Sequence, residues 1–310
     1  MKKIPIIMDC DPGHDDAIAI ILACASDKLD VRAITTVGGN QTIAKTTNNA
    51  LRVLAFIDKN IPVAMGANNP LRRELEIAPS VHGESGLDGP ELPEPKQEPL
   101  EMSAFELMAK TVEESDEKIT LVPTGPLTNI AIFLLAYPHL KSKIERISLM
   151  GGSAIGGNWT ASAEFNILVD PEAADIVFKS GIPITMSGLD VTHKAQVYPE
   201  DIKRIKDQGG KVAVMVGELL EFFIKFHKEI CGWDFAPLHD PCAVAWLINP
   251  DMFTSKKLNV QIDIEGEHTT GCTVTDFLNR FDLEPNTDVL LDVDRHQFVD
   301  MLIDAVNQYH

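Results

Sequence analysis

Short β-branched, apolar runs recur along the first two-thirds of this chain, each followed by a longer amphipathic or apolar segment. Ile4–Met8 reads as a strand and is followed by a helix from about Asp15 to Ala25. Val31–Val37 reads as a second strand, with a helix over Thr42–Ile57. The rhythm returns with Lys118–Val122 before Leu127–Leu135, and with Arg146–Met150 before a loop and the helix Pro171–Lys179; Ile182–Ser187 closes the series. Strands that are apolar at almost every position are buried on both faces. Their alternation with helices predicts an α/β fold with a mostly parallel central sheet flanked by helices. Beyond Pro199 the pattern changes: Lys211–Ile230 and Cys242–Ile248 read as helices, Leu258–Ile264 and Val289–Val293 as strands, and Gln297–Asn307 as a last helix. No Ser/Gly linker, low-complexity tract or repeat divides the chain, and the Pro- and Glu-rich stretch Gly89–Leu100 reads as a surface loop. One domain over residues 1–310 is expected.

Charge narrows the possible partners. The 27 Lys+Arg against 46 Asp+Glu give a net charge of −19, which would repel nucleic acid and anionic membranes and suits a site that gathers cations. Five scattered cysteines without a C-x-x-C pair fit reduced thiols in a cytosolic protein. Ile4–Met8 is too short for a signal-peptide core, and the longest apolar stretch, Ala17–Ala25, is too short to span a bilayer. The expected location is the cytoplasm.

In sheets of this kind ligands bind at the carboxyl ends of the strands, and the first strand ends unusually. Asp9-Cys10-Asp11-Pro12-Gly13-His14-Asp15-Asp16 places four carboxylates in eight residues. Pro12-Gly13 turns the chain, bringing Asp9 and Asp11 near the pair that opens the next helix. Asp11-Pro12 fits an N-cap with proline at the first helical position, and capping accounts for one or two acids but not for four. Like charges gather at a cost unless a cation neutralises them. Oxygen-only ligands suit a hard ion, Ca²⁺ or Mg²⁺, rather than zinc. A D-x-D alone says little: Asp292 and Asp294 read as a strand end and a helix cap. A rival reading is the aspartyl-phosphate nucleophile of haloacid-dehalogenase-type phosphatases. No Lys or Arg lies between Asp9 and Asp16 to hold a phosphate, which ranks that reading second.

The octapeptide resembles the N-terminal signature of the inosine-uridine-preferring nucleoside hydrolase family. Thr36-Val-Gly-Gly-Asn40, His82-Gly-Glu-Ser-Gly86, Val122-Pro-Thr-Gly125, Leu149-Met-Gly-Gly152, Ala163-Glu-Phe-Asn166 and His239-Asp-Pro-Cys242 resemble further family segments in the expected order, so the similarity spans essentially the whole chain. The resemblance implies a Rossmann-like nucleoside hydrolase fold and a Ca²⁺-dependent N-ribohydrolase whose metal binds the ribose 2′- and 3′-hydroxyls and the attacking water. Carried over by position, the metal ligands would be Asp11, Asp16, the Thr124 main-chain carbonyl and Asp240, with Asp9 supporting them from behind. Asp11 would also act as general base. Asp15, Asn40 and Asn166 would hold the ribose hydroxyls, Asn158 and Glu164 the 5′-hydroxyl, and Met150 would pack beneath the sugar. The chemistry is coherent: breaking an N-glycosidic bond builds positive charge on the ribose, which surrounding carboxylates and amides stabilise.

Local alternatives accompany each secondary motif. His239-Asp240-Pro241 is also a helix start, which does not exclude metal ligation by Asp240. Asp170-Pro171-Glu172 has the same pattern and reads as a cap alone. His82, in a Gly-bounded loop, is assigned to contact with the base. Gly83-Glu-Ser-Gly86 is not G-x-S-x-G, so Ser85 is no nucleophile. His193 and His296 read as structural or surface residues.

The base side is expected to involve Phe165 and the helix segment Leu219–His227, where Phe223 and His227 share one face. Family members that process purines well carry tyrosines at the matching places. Phe222-Phe223, His227-Lys228, Ala236-Pro-Leu-His239-Asp-Pro-Cys242 and Asn158-Trp159-Thr160 are instead similar to the bacterial pyrimidine-specific ribonucleoside hydrolases. In that branch His82 and His239 would flank the pyrimidine, with His239 helping to activate the leaving group. The resemblance thus implies a uridine and cytidine hydrolase, with a non-specific inosine-uridine enzyme as the alternative. A nucleoside sensor without turnover is the rival outside enzymes, and the retained Asp11 speaks against it. The family also implies a homo-oligomer, often a tetramer.

Overall fold

The computed structural model describes residues 2–309. Its strands are β1 (Ile4–Cys10), β2 (Leu29–Thr36), β3 (Val63–Met65), β4 (Ile119–Pro123), β5 (Ile144–Met150), β6 (Ile184–Ser187), β7 (Gln196–Val197), β8 (Ala236–Pro237), β9 (Phe253–Ile262), β10 (Thr273–Asp276) and β11 (Thr287–Val293). Nine of them form one sheet in the order β10-β9-β11-β6-β5-β4-β1-β2-β3, while β7 and β8 make a separate antiparallel ribbon. From β3 to β11 every neighbouring pair is parallel, and β9 runs antiparallel to both β11 and β10. The expected mostly parallel α/β sheet is present.

β1 shows why its sequence makes a central strand. Ile6, Ile7 and Met8 are fully buried, and successive side chains point to opposite faces. Ile6 and Met8 enter one apolar core with residues of the helices His14–Ala25, Ile43–Phe56, Gly210–Cys231, Pro241–Ile248 and Arg295–Val306. Ile7 enters the other, with residues of Ala104–Glu114, Thr128–Ala136 and Pro171–Phe178. Each such side chain contributes about 1.5–3 kcal/mol relative to exposure.

Several features depart from the sequence reading. The first helix starts at His14 with Gly13 as N-cap, and the Asp16 carboxylate accepts the Gly13 N–H, so Asp11-Pro12 is not the cap. β9 begins at Phe253, five residues before the expected Leu258, because its polar start Phe253–Lys257 ladders onto β11. β3 and the helix Ala104–Glu114 were not anticipated. The helix carries a reciprocal Ser103–Glu106 cap.

Strand order reverses at β1, whose neighbours are β2 on one side and β4 on the other. In a parallel sheet that reversal opens a crevice beyond the carboxyl ends of the two central strands. Asp11 follows β1 there, and Thr124 follows β4.

Candidate functional site

Five buried aspartates lie at this switch point: Asp9, Asp11, Asp15, Asp16 and Asp240. Asp9 Oδ1 accepts from Thr35 Oγ1 at 2.7 Å and Asn129 Nδ2 at 2.8 Å, while its Oδ2 has no protein partner. Asp11 Oδ2 accepts the Asn40 main-chain N–H at 2.6 Å, and its Oδ1 is likewise buried without a partner. A Cβ on Gly39 or Gly125 would collide with the Asp11 carboxylate, so both glycines are needed for that side chain to fit. Asp16 Oδ1 accepts from Thr124 Oγ1 at 2.7 Å, and Oδ2 from the Gly13 N–H at 3.0 Å.

Carboxylate oxygens of Asp15, Asp16 and Asp240 lie within 4.8 Å of one another. Asp240 heads the helix Pro241–Ile248 yet its side chain makes no cap bond, which leaves it free to face the other two. Asp170 behaves as the cap it was expected to be, accepting from Ala173 N–H, Leu71 N–H and Thr128 Oγ1.

Removal from water is the largest influence on these acids, with like charge from the neighbouring aspartates acting in the same direction. Asp9 and Asp15 are each pushed up to about 7, Asp16 is raised, and Asp11 and Asp240 are driven well above the ordinary carboxylate range. No lysine or arginine lines the adjoining cavity among the described residues. The oxygen-only donor set, the unpartnered Asp11 Oδ1 and the close carboxylate trio fit a hard divalent cation. The compact trio contains Asp15, which the resemblance assigned to ribose, and not Asp11, which it assigned to metal.

Above the aspartates opens a cavity of about 510 Å³, within the range of small-molecule sites. Asp15, Asn40, His82, Thr124, Met150, Asn158, Glu164, Phe165, Asn166, Phe223, His227, His239 and Asp240 all line it. Asp11 and Asp16, both fully buried, are not among its lining residues. Asn166 Nδ2 donates to the Thr124 carbonyl at 2.8 Å and touches the Met150 sulfur at 3.2 Å. Glu164 caps its helix by accepting from the N–H groups of Asn166 and Ile167, and its Oε2 also accepts the Gly152 N–H from the loop after β5. Asn158 Oδ1 accepts the Phe165 N–H at 3.0 Å.

The opposite wall is aromatic and imidazole-rich. Phe223 and His227 share a helix face as expected, their rings 4.5 Å apart and edge to face. His227 Nδ1 donates to the Phe223 carbonyl at 2.8 Å, since a carbonyl only accepts. His239 Nδ1 lies 2.8 Å from Thr192 Oγ1. Burial holds these imidazoles neutral: His82 and His239 fall well below their ordinary range, and His227 drops to about 4.

The sequence reading missed part of this wall. His193, expected to be structural or on the surface, lines the cavity and packs edge-on against His239 at 5.7 Å and Trp233 at 5.2 Å. Trp233 stacks on His227 at 5.8 Å. The left-handed Gly232 that ends the long helix is the one local signal for that turn. Phe226, inside the expected segment Leu219–His227, lines the cavity as well, and so does Trp159, 4.7 Å from Phe165.

A model of the inosine-uridine preferring nucleoside hydrolase family matches residues 6–300. The chain belongs to this family. As a nucleoside hydrolase it is similar to proteins named pyrimidine-specific ribonucleoside hydrolase RihA. It is 58% identical over 307 residues to the one from Photobacterium profundum, covering 98% of this chain and 99% of that protein. It is 56% identical over 308 residues to the one from Escherichia coli K12, covering 99% of each. Among solved structures it resembles the purine-preferring ribonucleoside hydrolase from Gardnerella vaginalis, with a TM-score of 0.92 and 32% identity over 98% of both chains. The nucleoside hydrolase fold thus accounts for the sheet and for the crevice at its switch point.

Proposed function

We propose that this nucleoside hydrolase cleaves the N-glycosidic bond of pyrimidine ribonucleosides, uridine and cytidine, to ribose and free base, and that its metal is Ca²⁺. One observation carries the reading: a single cavity joins a carboxylate floor to a wall of neutral imidazoles and phenylalanines. The floor suits a sugar that develops positive charge, and the wall suits a flat, uncharged base. The pyrimidine preference draws support from relatives at 56–58% identity that are named for it, against 32% for the purine-preferring structure.

Asp11, Asp16, the Thr124 carbonyl and Asp240 would hold the cation, with Asp15 at its edge. When bound, Ca²⁺ would supply the positive charge that keeps these acids ionised and makes water easier to deprotonate. Asp11 takes the proton of the attacking water through the oxygen that no protein group occupies. Asp15, Asn40 and Asn166 hold the ribose hydroxyls, Asn158 and Glu164 the 5′-hydroxyl, and Met150 supports the sugar from below. Phe165, Phe223 and His227 pack around the base, which His82 and His239 flank; His239 hydrogen-bonds the departing base as it gains negative charge. We further propose that the chain works as one domain within a cytoplasmic homo-oligomer, a tetramer. No described helix is long and apolar enough to cross a membrane.

The test is ribose release from uridine, cytidine and inosine, with and without prior chelation. Chelator-sensitive release restored by Ca²⁺, and faster from the pyrimidines, is the expected result. Inosine cleavage at a comparable rate would overturn the pyrimidine preference, and release indifferent to chelation would overturn the metal.

A further inference from the structure

We propose that residues 276–284, together with the open start of β9 beside them, form the face through which this chain binds a second copy of itself. The inference gives the proposed homo-oligomer a surface, and that surface carries it, not the nucleoside chemistry.

β10 ends at Asp276 and β11 begins at Thr287, and residues 277–285 between them are all exposed. Connections in contact with water are ordinarily polar. This one carries Phe277, Leu278, Phe281 and Leu283, with Leu278 72% exposed. Of the eleven large apolar side chains exposed among the described residues, these four fall within seven positions, while the other seven are spread between Met65 and Ile230. Single exposed apolar residues are ordinary, whereas a contiguous group marks a contact surface.

The segment is held in shape by the chain itself. Asp276 Oδ1 accepts the Leu278 N–H at 3.1 Å, and its Oδ2 accepts the Phe281 N–H at 2.7 Å. Asn259 Nδ2 donates to the Glu284 carbonyl at 2.7 Å, and Asn286 Oδ1 accepts the Val260 N–H at 2.9 Å. The Lys256 ammonium lies 5.6 Å from the centre of the Phe277 ring. A surface ordered in the free chain has less entropy to lose on association.

Beside it β9 is open. β10 pairs with β9 only between Asn259 and Ile262, so the earlier part of β9 has β11 on one side and no strand on the other. Residues 254–257 there are exposed in succession. An open edge invites strand addition, and lysines blunt it; Lys256 and Lys257 stand at this one. A groove of about 500 Å³ remains between the edge and the segment, with Phe277, Leu278, Leu283 and both lysines in its lining. Phe281 is exposed and lies outside that lining. One surface thus carries a hollow and a free aromatic ring.

The charges select the occupant. Two copies with a net charge of −19 each repel unless they meet where both are locally neutral. Here Lys256, Lys257 and Arg280 balance Asp276, Asp282 and Glu284. Among the described residues no ion pair within the chain takes up Lys256, Lys257, Asp282 or Glu284. A two-fold axis sets such a patch against itself. The lysines of one copy then face the acids of the other, and each Phe281 enters the hollow of its mate. A partner of a single charge sign would set half of these groups against like charge.

The experiment is sedimentation velocity of the full-length protein. The wild type is expected at the mass of an oligomer. Phe281→Glu should weaken self-association about thirtyfold or more and halve that mass, with an unchanged circular dichroism spectrum. Two further variants keep every apolar side chain. Lys256→Glu with Lys257→Glu makes the patch acidic, and Asp282→Lys with Glu284→Lys makes it basic. Each alone should sediment at half the wild-type mass, and their equimolar mixture should return to it. A wild type at the mass of one chain overturns this inference and the proposed tetramer together. An oligomeric wild type whose mass none of the variants changes overturns this inference alone, as does a mixture that stays dissociated. Ribose release reports the proposed activity separately, since no residue of this segment lines the nucleoside cavity.

Discussion

Chelation followed by Ca²⁺ titration perturbs the site at its most costly point. Asp9 and Asp15 rise from 3.8 to about 7 on burial in the metal-free chain. Each such rise corresponds to about 4 kcal/mol of resistance to ionisation. The sign follows from linkage: below pH 3.8 the folded chain suffers no such penalty, and its stability declines as pH climbs towards 7, where the unfolded chain has already released these protons. A cation held only by the folded state opposes the decline. At a hundred times its Kd it adds about 2.7 kcal/mol. For 310 residues, an unfolding entropy of about 2.1 cal/mol/K per residue gives about 0.65 kcal/mol/K in total. The melting temperature at pH 7.5 should therefore rise by about 4 °C on saturating the chelated protein with Ca²⁺, as read by differential scanning calorimetry. Asp240→Asn removes one of the converging charges, so the chelated variant should melt above the chelated wild type and lose most of the Ca²⁺ response. Superimposable wild-type melting curves with and without Ca²⁺ would refute the reasoning.

Three further outcomes are expected. Asp11→Asn should lower kcat on uridine by about 10²–10⁴, the usual contribution of a general base, with an unchanged circular dichroism spectrum; near-normal turnover would remove Asp11 from that role. His227, held at about 4 against an ordinary 6.5, loses stability as pH falls through 6.5, by about 2 kcal/mol between pH 7 and pH 5. His227→Phe should shrink the wild-type fall in melting temperature over that interval by about 3 °C. Asp170→Ala strands the Leu71 N–H, the Ala173 N–H and the Thr128 hydroxyl; a loss of about 2–4 kcal/mol should appear as a shift in the urea midpoint at unchanged slope.

Elements whose information is local were legible in the sequence. β1, β4, β5 and β6 announce themselves by short runs rich in β-branched and other apolar residues, and Asp9 to Asp16 by a charge density that no cap explains. β3 has only three residues, too few for a period, and exists because β2 offers it a ladder. The histidines divide in the same way. His82 and His239 sit in recognisable segments, whereas His193 reaches the cavity only because the short helix Leu189–Thr192 sets it against rings more than thirty residues away. The His14–His82 contact spans 68 residues, and no pattern along the chain signals it. Asp15 shows the limit of transferring roles by position: adjacent aspartates look equivalent in sequence, and only the approach of Asp240 places Asp15 in the tight trio.

The cavity stands on two different foundations. Its acidic floor gathers at the ends of β1 and β4, from the segment just past β1 and from Asp240 at the head of a buried helix, at the interior of a nine-stranded sheet clamped by helices on both sides. Much of its aromatic wall hangs from the final turns of one helix, Gly210–Cys231, and the turn just past it. A lineage can therefore exchange side chains along those turns, and with them the base it accepts, while the inherited bond-breaking apparatus stays as it was. Selectivity and chemistry are, in this architecture, separately heritable.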